Sequence, residues 1–303
     1  MAMNAEMMNR ESSPRPARSV IAVHDLTCVG RCALTLVLPT LAAMGVQPVP
    51  LPTAVLSAHT GFSDVAVRHL DDFMSACIAH WKRLDLAADA VYSGYLADLG
   101  QVDLVQDVID WQRAAHGALA VVDPAMGDNG RLYSGVPRGM PAAMKRLCDG
   151  ADVITPNLTE AALMLGAPYV DGPMSDEALF RLLDGFSAGH VVITSAMLED
   201  GTHANLCRAR GEAGFWVCPY RRVGAAFHGT GDLFASVLTG ALMQGDELKT
   251  GVQRAGDFVC RVIETSVACG VEERSGVQLE IALKQLLTPA PLAHRPRFVP
   301  MRA

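Results

Sequence analysis

The residues best suited to chemistry fall in a few short loops. HGTGD (228–232) sets Gly229, Thr230 and Gly231 just ahead of the apolar run LFASVLTG, with Asp232 at its mouth. Glycines make that backbone permissive. The first N–H groups of a helix lack internal partners and carry the positive end of its dipole. Such a place suits an anion, for instance a phosphate. Asp232 then has two readings. It is a favoured capping residue, or it is a general base that takes a proton from a substrate hydroxyl while the helix end stabilises a transferring phosphoryl group. Capping alone does not ask for glycines on both sides of Thr230.

Two further loops carry acids. DPAMGDNG (123–130) brings Asp123 and Asp128, which could approach a magnesium–nucleotide, because Mg²⁺ takes a few carboxylates with water and phosphate oxygens. The same residues also make an ordinary turn, with Asp and Asn bonding their own backbone. TPNLTE (155–160) has Asn157 and Glu160 three apart at a helix start, hence on one face. That spacing equally describes a capping box. Taken singly, the turn and the capping box are the simpler readings. The combination gains weight because all three acidic loops follow strands of one sheet. No GxxxxGK[ST] sequence is present and the chain has only four lysines. A bound ATP would therefore rest on backbone, Thr, Asn and Mg²⁺.

The elements that position these loops alternate along the chain. SVIAVHD (19–25), DAVYSGYL (89–96), GALAVVD (117–123), ADVIT (151–155) and HVVITSA (190–196) read as strands. Residues 205–221 read as a hairpin. Helical patterns cover 32–45, 64–83, 102–115, 157–166, 229–244, 246–268 and 276–287, with a break or kink expected at Pro39. The Pro-punctuated stretch 46–62 suits edge strands forming a small flap. The fold class expected is α/β: one doubly wound, mostly parallel sheet with helices on both faces. Ligands of such sheets bind at the carboxyl ends of the strands. One domain is expected over 19–287, with tails at 1–18 and 288–303.

Bulk properties narrow the partners. The 303 residues are half hydrophobic, with few aromatics and a formal net charge of -7. No basic run favours nucleic acid, and no apolar stretch reaches transmembrane length. MAMNAEMMNRESSPRPARSV lacks the apolar centre of a secretion signal. The expectation is a cytoplasmic protein with eight free thiols, no zinc at Cys28 and Cys32, and an inert buried thiol at Cys28.

GTGD at a helix start, DPAMGDNG, ITPNLTEA, SGYL and LPTAVLSAHTGF, taken together, resemble the ribokinase-like vitamin kinases, and within them the pyridoxal/pyridoxamine kinases, over about residues 19–287. The resemblance implies transfer of the ATP γ-phosphate to the 5′-hydroxyl of pyridoxal, pyridoxamine or pyridoxine. It implies Asp232 as base and Gly229, Thr230 and Gly231 as anion hole. Asn157 and Glu160 would help hold Mg²⁺, partly through water, and Asp123 would face phosphates and metal. Thr194, Ser195 and Thr155 fall on the nucleotide side. Thr60 and Tyr95 would line the pyridoxal pocket, with His59 as neighbour. ATP and Mg²⁺ are implied, and there is room for a monovalent cation such as K⁺. The flap leaves a sheet edge open to pairing, so a homodimer is expected.

The chain departs from the family in its first loop, HDLTCVGRCA. Asp25 stands where the family has a ring-binding Ser, and Ala33 where it has the second Gly of GxxG. An acid there suits a protonated pyridine, an amine, or the aminopyrimidine of hydroxymethylpyrimidine. A hydroxymethylpyrimidine kinase on the same fold is thus the alternative. A catalytically silent nucleotide- or vitamin-binding protein is a third reading, against which Asp232 and the complete GTGD weigh. The first strand is not followed by GxGxxG, which argues against a dinucleotide oxidoreductase. Phe227 and His228 read as packing residues.

Overall fold

The computed structural model describes residues 16–288 and 290–301. The elements run β1 (Ser19–Thr27), α1 (Leu34–Ala43), β2 (Gln47–Leu56), β3 (Val67–His69), α2 (Asp71–Arg83), β4 (Ala90–Ser93), α3 (Leu99–His116) and β5 (Leu119–Val122). A tiny hairpin follows, β6 (Gly127–Asp128) and β7 (Arg131–Leu132), then α4 (Met140–Asp149), β8 (Val153–Ile154), α5 (Leu158–Leu165) and α6 (Asp176–Asp184). The chain continues with β9 (His190–Met197), β10 (His203–Ala209), β11 (Gly214–Pro219), α7 (Thr230–Gln244), α8 (Leu248–Ala268), α9 (Leu279–Ala282) and β12 (Arg297–Pro300).

Ten strands form one sheet in the order β12-β11-β10-β9-β8-β5-β4-β1-β2-β3. The run from β2 through β1, β4, β5 and β8 to β9 is parallel throughout. The strands beyond it, β10 to β12 and β3, are antiparallel. The expected α/β architecture, a mostly parallel sheet with helices on both faces, is what the chain adopts. β1 explains why the parallel part forms. Its apolar run is buried on both faces, as a central parallel strand requires. Ile21 and Val23 enter one core, with α2 to α6, and Val20 and Ala22 enter the other, with α1, α7 and α8. The chain leaves β1 toward β2 on one side and returns to β4 on the other, so the order in which strands are added reverses beside β1. That reversal opens a crevice at the carboxyl ends.

Several elements differ from expectation. Residues 64–69 are loop and β3, and the helix begins only at Asp71. Helices α4 and α6 were not anticipated. Helix α1 runs through Pro39 as one element. The expected helix at 276–287 is a series of short turns around α9. β2 is more than a flap: it pairs with β1 along its length, and β3 covers only residues 54–56. Pro48 and Pro50 are thus left on an uncovered edge, which suits residues without an N–H. The segment taken as a tail at 288–303 contains β12, which pairs with β11. Of the expected tail at 1–18, residues 1–15 lie outside the described residues.

Candidate active site

The loops expected to matter converge. A cavity of about 420 Å³ opens at the carboxyl ends of the parallel strands, lined by Asp25 from β1, Tyr95 after β4, Asp123 after β5, Thr155 after β8, Thr194 of β9 and Asp232 of α7. A second cavity of about 220 Å³ adjoins it and shares Thr194, Gly231 and Phe234. The larger cavity holds five carboxylates, Asp25, Asp123, Asp128, Glu160 and Asp232, and no lysine or arginine among the described residues.

The Asp232 carboxylate does not cap its own helix. Gly229, in the left-handed conformation, is the N-cap residue of α7, with no side-chain cap. Asp232 Oδ2 instead accepts the backbone N–H of Ala33 at 2.8 Å. Burial pushes this acid up to about 7, against the Ala33 N–H, which stabilises the ionised form, while the charge of Asp25 raises it further. A carboxyl in that range can take a proton and release it near neutral pH. Gly229 is required by contact as well as by conformation: a Cβ there would lie 2.2 Å from the carbonyl oxygen of Arg31. Gly231 lines both cavities, and Thr230 lines the smaller one, its hydroxyl turned to the carbonyl of Phe227.

The capping box at Asn157 and Glu160 is present in full. Asn157 Oδ1 accepts the Glu160 N–H at 2.9 Å, and Glu160 Oε2 accepts the Asn157 N–H at 2.9 Å. Glu160 Oε1 accepts from Met126, and Asn157 Nδ2 donates to Gly127. Both residues still line the cavity. Their polar atoms are therefore engaged by protein, and a cation would be reached through water. Burial, then the charge of Asp123, raises Glu160 well above the usual carboxylate range. Asp123 is raised by burial and by Asp232. Beside it the buried hydroxyl of Thr155 makes no hydrogen bond of good geometry among the described residues, yet it lies near enough to Asp123 to oppose that rise. Clustered carboxylates without a counter-charge among the described residues, with a hydroxyl beside Asp123, are a donor set that fits a hydrated hard cation. Asp128 behaves as the turn former, accepting from both the backbone and the side chain of Asn129.

At the other end, Asp25 is 6 % exposed and accepts the Thr27 hydroxyl at 2.7 Å. Thr60 and Tyr95 line the same cavity, and burial raises the Tyr95 phenol. His59 also lines it, but both ring nitrogens are taken by backbone, Nδ1 by the Gly61 N–H and Nε2 by the Arg274 carbonyl. Ser195 lines the smaller cavity, its N–H given to Asn205. That cavity has apolar walls at Val223, Val259 and Ile263, which suit a flat base.

Sequence reasoning missed some members. His228 is not a mere packing residue: its ring lies 4.2 Å from that of His59 and it lines the cavity. Tyr133 and Ser134, Thr27 and Cys32 line it too. Tyr133 and Ser134 come just after the acidic loop, past the two residues of β7, and that closeness in the chain was the signal to use. Cys28, expected to be buried, is exposed. All eight cysteines are free, and no helix among the described residues is long and apolar enough to cross a membrane.

A family described as phosphomethylpyrimidine kinase matches residues 38–277. A Bacteroides thetaiotaomicron protein, provisionally named a phosphomethylpyrimidine kinase and crystallised with pyridoxal, is 38% identical with a TM-score of 0.87, covering 93% of this chain and 100% of that one. Pyridoxal kinase from Lactobacillus plantarum is 33% identical with a TM-score of 0.80, covering 90% of this chain and 97% of its own. A pyridoxine/pyridoxal/pyridoxamine kinase of Bordetella avium is 28% identical over 259 residues, 80% of this chain and 84% of the relative.

Proposed function

The chain belongs to the phosphomethylpyrimidine kinase family, and from that premise we propose that it is an ATP-dependent vitamin B6 kinase, acting on the 5′-hydroxyl of pyridoxamine, pyridoxal or pyridoxine. The observation that carries the reading is Asp232. It is a carboxyl held near neutrality, bonded through one oxygen to Ala33, at the foot of a cavity beside a glycine-rich helix start. Relatives named pyridoxal kinase support the B6 substrates.

In this mechanism the oxygen of Asp232 not bonded to Ala33 takes the proton of the 5′-hydroxyl. That hydroxyl oxygen bonds to the γ-phosphorus as the bond to the bridging oxygen breaks, and ADP leaves. The N–H groups of residues 229–231 receive the charge of the transferring group. Asp123, and Asn157 and Glu160 through water, would hold Mg²⁺, which neutralises phosphate charge. A monovalent cation such as K⁺ belongs to the same proposal. Thr155, Thr194 and Ser195 take the nucleotide, with the base in the smaller cavity. Asp25, Thr60, Tyr95 and His59 surround the vitamin, and closure of the loop after β2 limits ATP hydrolysis by excluding water. The free thiols suit a cytoplasmic setting, and the exposed edge strand β3 suits a homodimer.

Asp25 favours keeping one alternative, hydroxymethylpyrimidine as acceptor, since a nearly buried carboxylate suits an aminopyrimidine as well as a pyridinium. ATP consumption with Mg²⁺ and each of pyridoxal, pyridoxamine, pyridoxine and hydroxymethylpyrimidine decides. Turnover on the pyridines supports the B6 reading. Turnover on the pyrimidine alone replaces it. Silence on all four overturns both.

A further inference from the structure

Ala33 has a backbone that alanine avoids. Its φ of 48° and ψ of -136° lie outside the left-handed helical region, in territory open mainly to glycine. It is also nearly buried. Its surroundings hold it there. Its carbonyl accepts the N–H groups of Leu36 and Val37, starting α1. The preceding loop is wedged in place, with Gly229 and Gly276 both packed against Arg31 and the Arg31 guanidinium on Glu280 at 2.9 Å. The one bond that this conformation directs into the cavity is the Ala33 N–H to Asp232 Oδ2. Strain maintained by its surroundings at one residue is a mark of a site where geometry serves function.

We propose that Ala33 is a positioning residue: its strained backbone N–H, at the N-cap of α1, fixes one oxygen of Asp232 and so aims the other at the substrate hydroxyl. The β1–α1 loop and the α7 base are thereby one mechanical unit, although 199 positions separate them. The other groups around Asp232 do not supply this. Asp25 and Asp123 repel its charge, the Cys32 thiol is itself pushed up by burial and by Asp232, and the Tyr92 hydroxyl turns to the Asp232 backbone carbonyl. The role of Asp232 as base rests on the kinase reading above; the strained bond does not.

The experiment has a melting arm and a turnover arm. Melting is measured on the full chain as wild type, Ala33→Gly, Asp232→Ala and the double variant. Glycine removes the strain, so Ala33→Gly raises Tm in the wild type. The loop contacts and the Asp232 bond together hold the strain, so without Asp232 the loop relaxes part of the way and the same change gains less. An equal gain in both backgrounds, or no gain in the wild type, overturns the proposal. In the turnover arm, Ala33→Val cannot hold this φ and swings the N–H away. Its kcat falls about tenfold or more with both KM values within about twofold, and the acid limb of the kcat profile moves to higher pH. Unchanged kcat and acid limb overturn the proposal. If Ala33→Val does not fold, the melting arm decides alone. If the wild type turns over no substrate, the kinase reading fails and the melting arm still decides the bond.

Discussion

The Nε2–H of His59 donates to the backbone carbonyl of Arg274 at 2.6 Å, tying the loop after β2 to the turn before α9. Nδ1 of the same ring accepts the Gly61 N–H at 3.0 Å, and this fixes the tautomer. His59 thus shapes the end of the cavity where the proposed function seats the vitamin, and offers it no free nitrogen. His59→Ala removes two bonds of about 1 kcal/mol each. KM for the vitamin should rise about tenfold, with faster amide exchange across 57–62 and little change in KM for ATP. Exchange at 57–62 equal to wild type would show that the tie does not hold the loop.

Asp232 carries a prediction with a sign. Its acid is raised from 3.8 to about 7, so the native state holds a proton that the unfolded chain has lost between those values. Stability of the unliganded protein from this group is therefore greatest below about pH 4 and declines as pH rises to about 7. The decline is at most about 4 kcal/mol, and less in practice because the carboxylate still meets cavity water. Asp232→Asn should melt above wild type at pH 8, and the difference should shrink on acidification. Its kcat should fall by about 10² to 10⁴. A pH-independent difference in Tm would remove the electrostatic account.

Gly229→Ala should be severe. The new Cβ would meet the Arg31 carbonyl at 2.2 Å in a left-handed backbone, and it has nowhere to relax, since that carbonyl is main chain. Activity should drop by more than about tenfold with a lowered Tm. Gly231→Ala, with no atom near its Cβ position, should be milder in melting. Equal melting losses in the two variants would contradict the contact.

Asn157 has two duties that one substitution separates. Asn157→Ala breaks the box at the start of α5, costing about 1 kcal/mol of stability, and Asn157→Asp preserves the cap. If Asn157 also serves the nucleotide's cation, Asn157→Ala should raise the Mg²⁺ concentration for half-maximal rate, and Asn157→Asp should lower it or leave it unchanged. A loss in melting with an unaltered Mg²⁺ curve would leave Asn157 purely a cap.

Much of this molecule is legible in one dimension because its signals are local. The apolar runs at β1, β5 and β9 and the Gly-rich start of α7 are short, self-contained patterns, and the structure has them where they were read. The unanticipated α4 and α6 carry local signals too, Pro141 in the first turn of α4 and Ser175 capping α6 ahead of Asp176 and Glu177, but the other miscast stretches lack that property. β3 has three exposed residues and no hydrophobic alternation, and β12 is a strand only because β11 offers it an edge. The turns around α9 have helical spacing but too little length to sustain one helix.

The residues of the site divide the same way. The sequence by itself determined which groups were available: an acid behind glycines, acids after strands, a chain poor in lysine, and an acid at position 25. Composition and spacing are properties of the covalent chain. Only the tertiary structure decided what each group does. It turned Asp232 away from its own helix and onto Ala33, tied Glu160 to Met126 and Asn157 to Gly127, took Nε2 of His59 with the Arg274 carbonyl, and brought His228 into the cavity. Those outcomes depend on contacts between segments far apart in the chain, and on which lone pairs remain once buried backbone groups have found their partners.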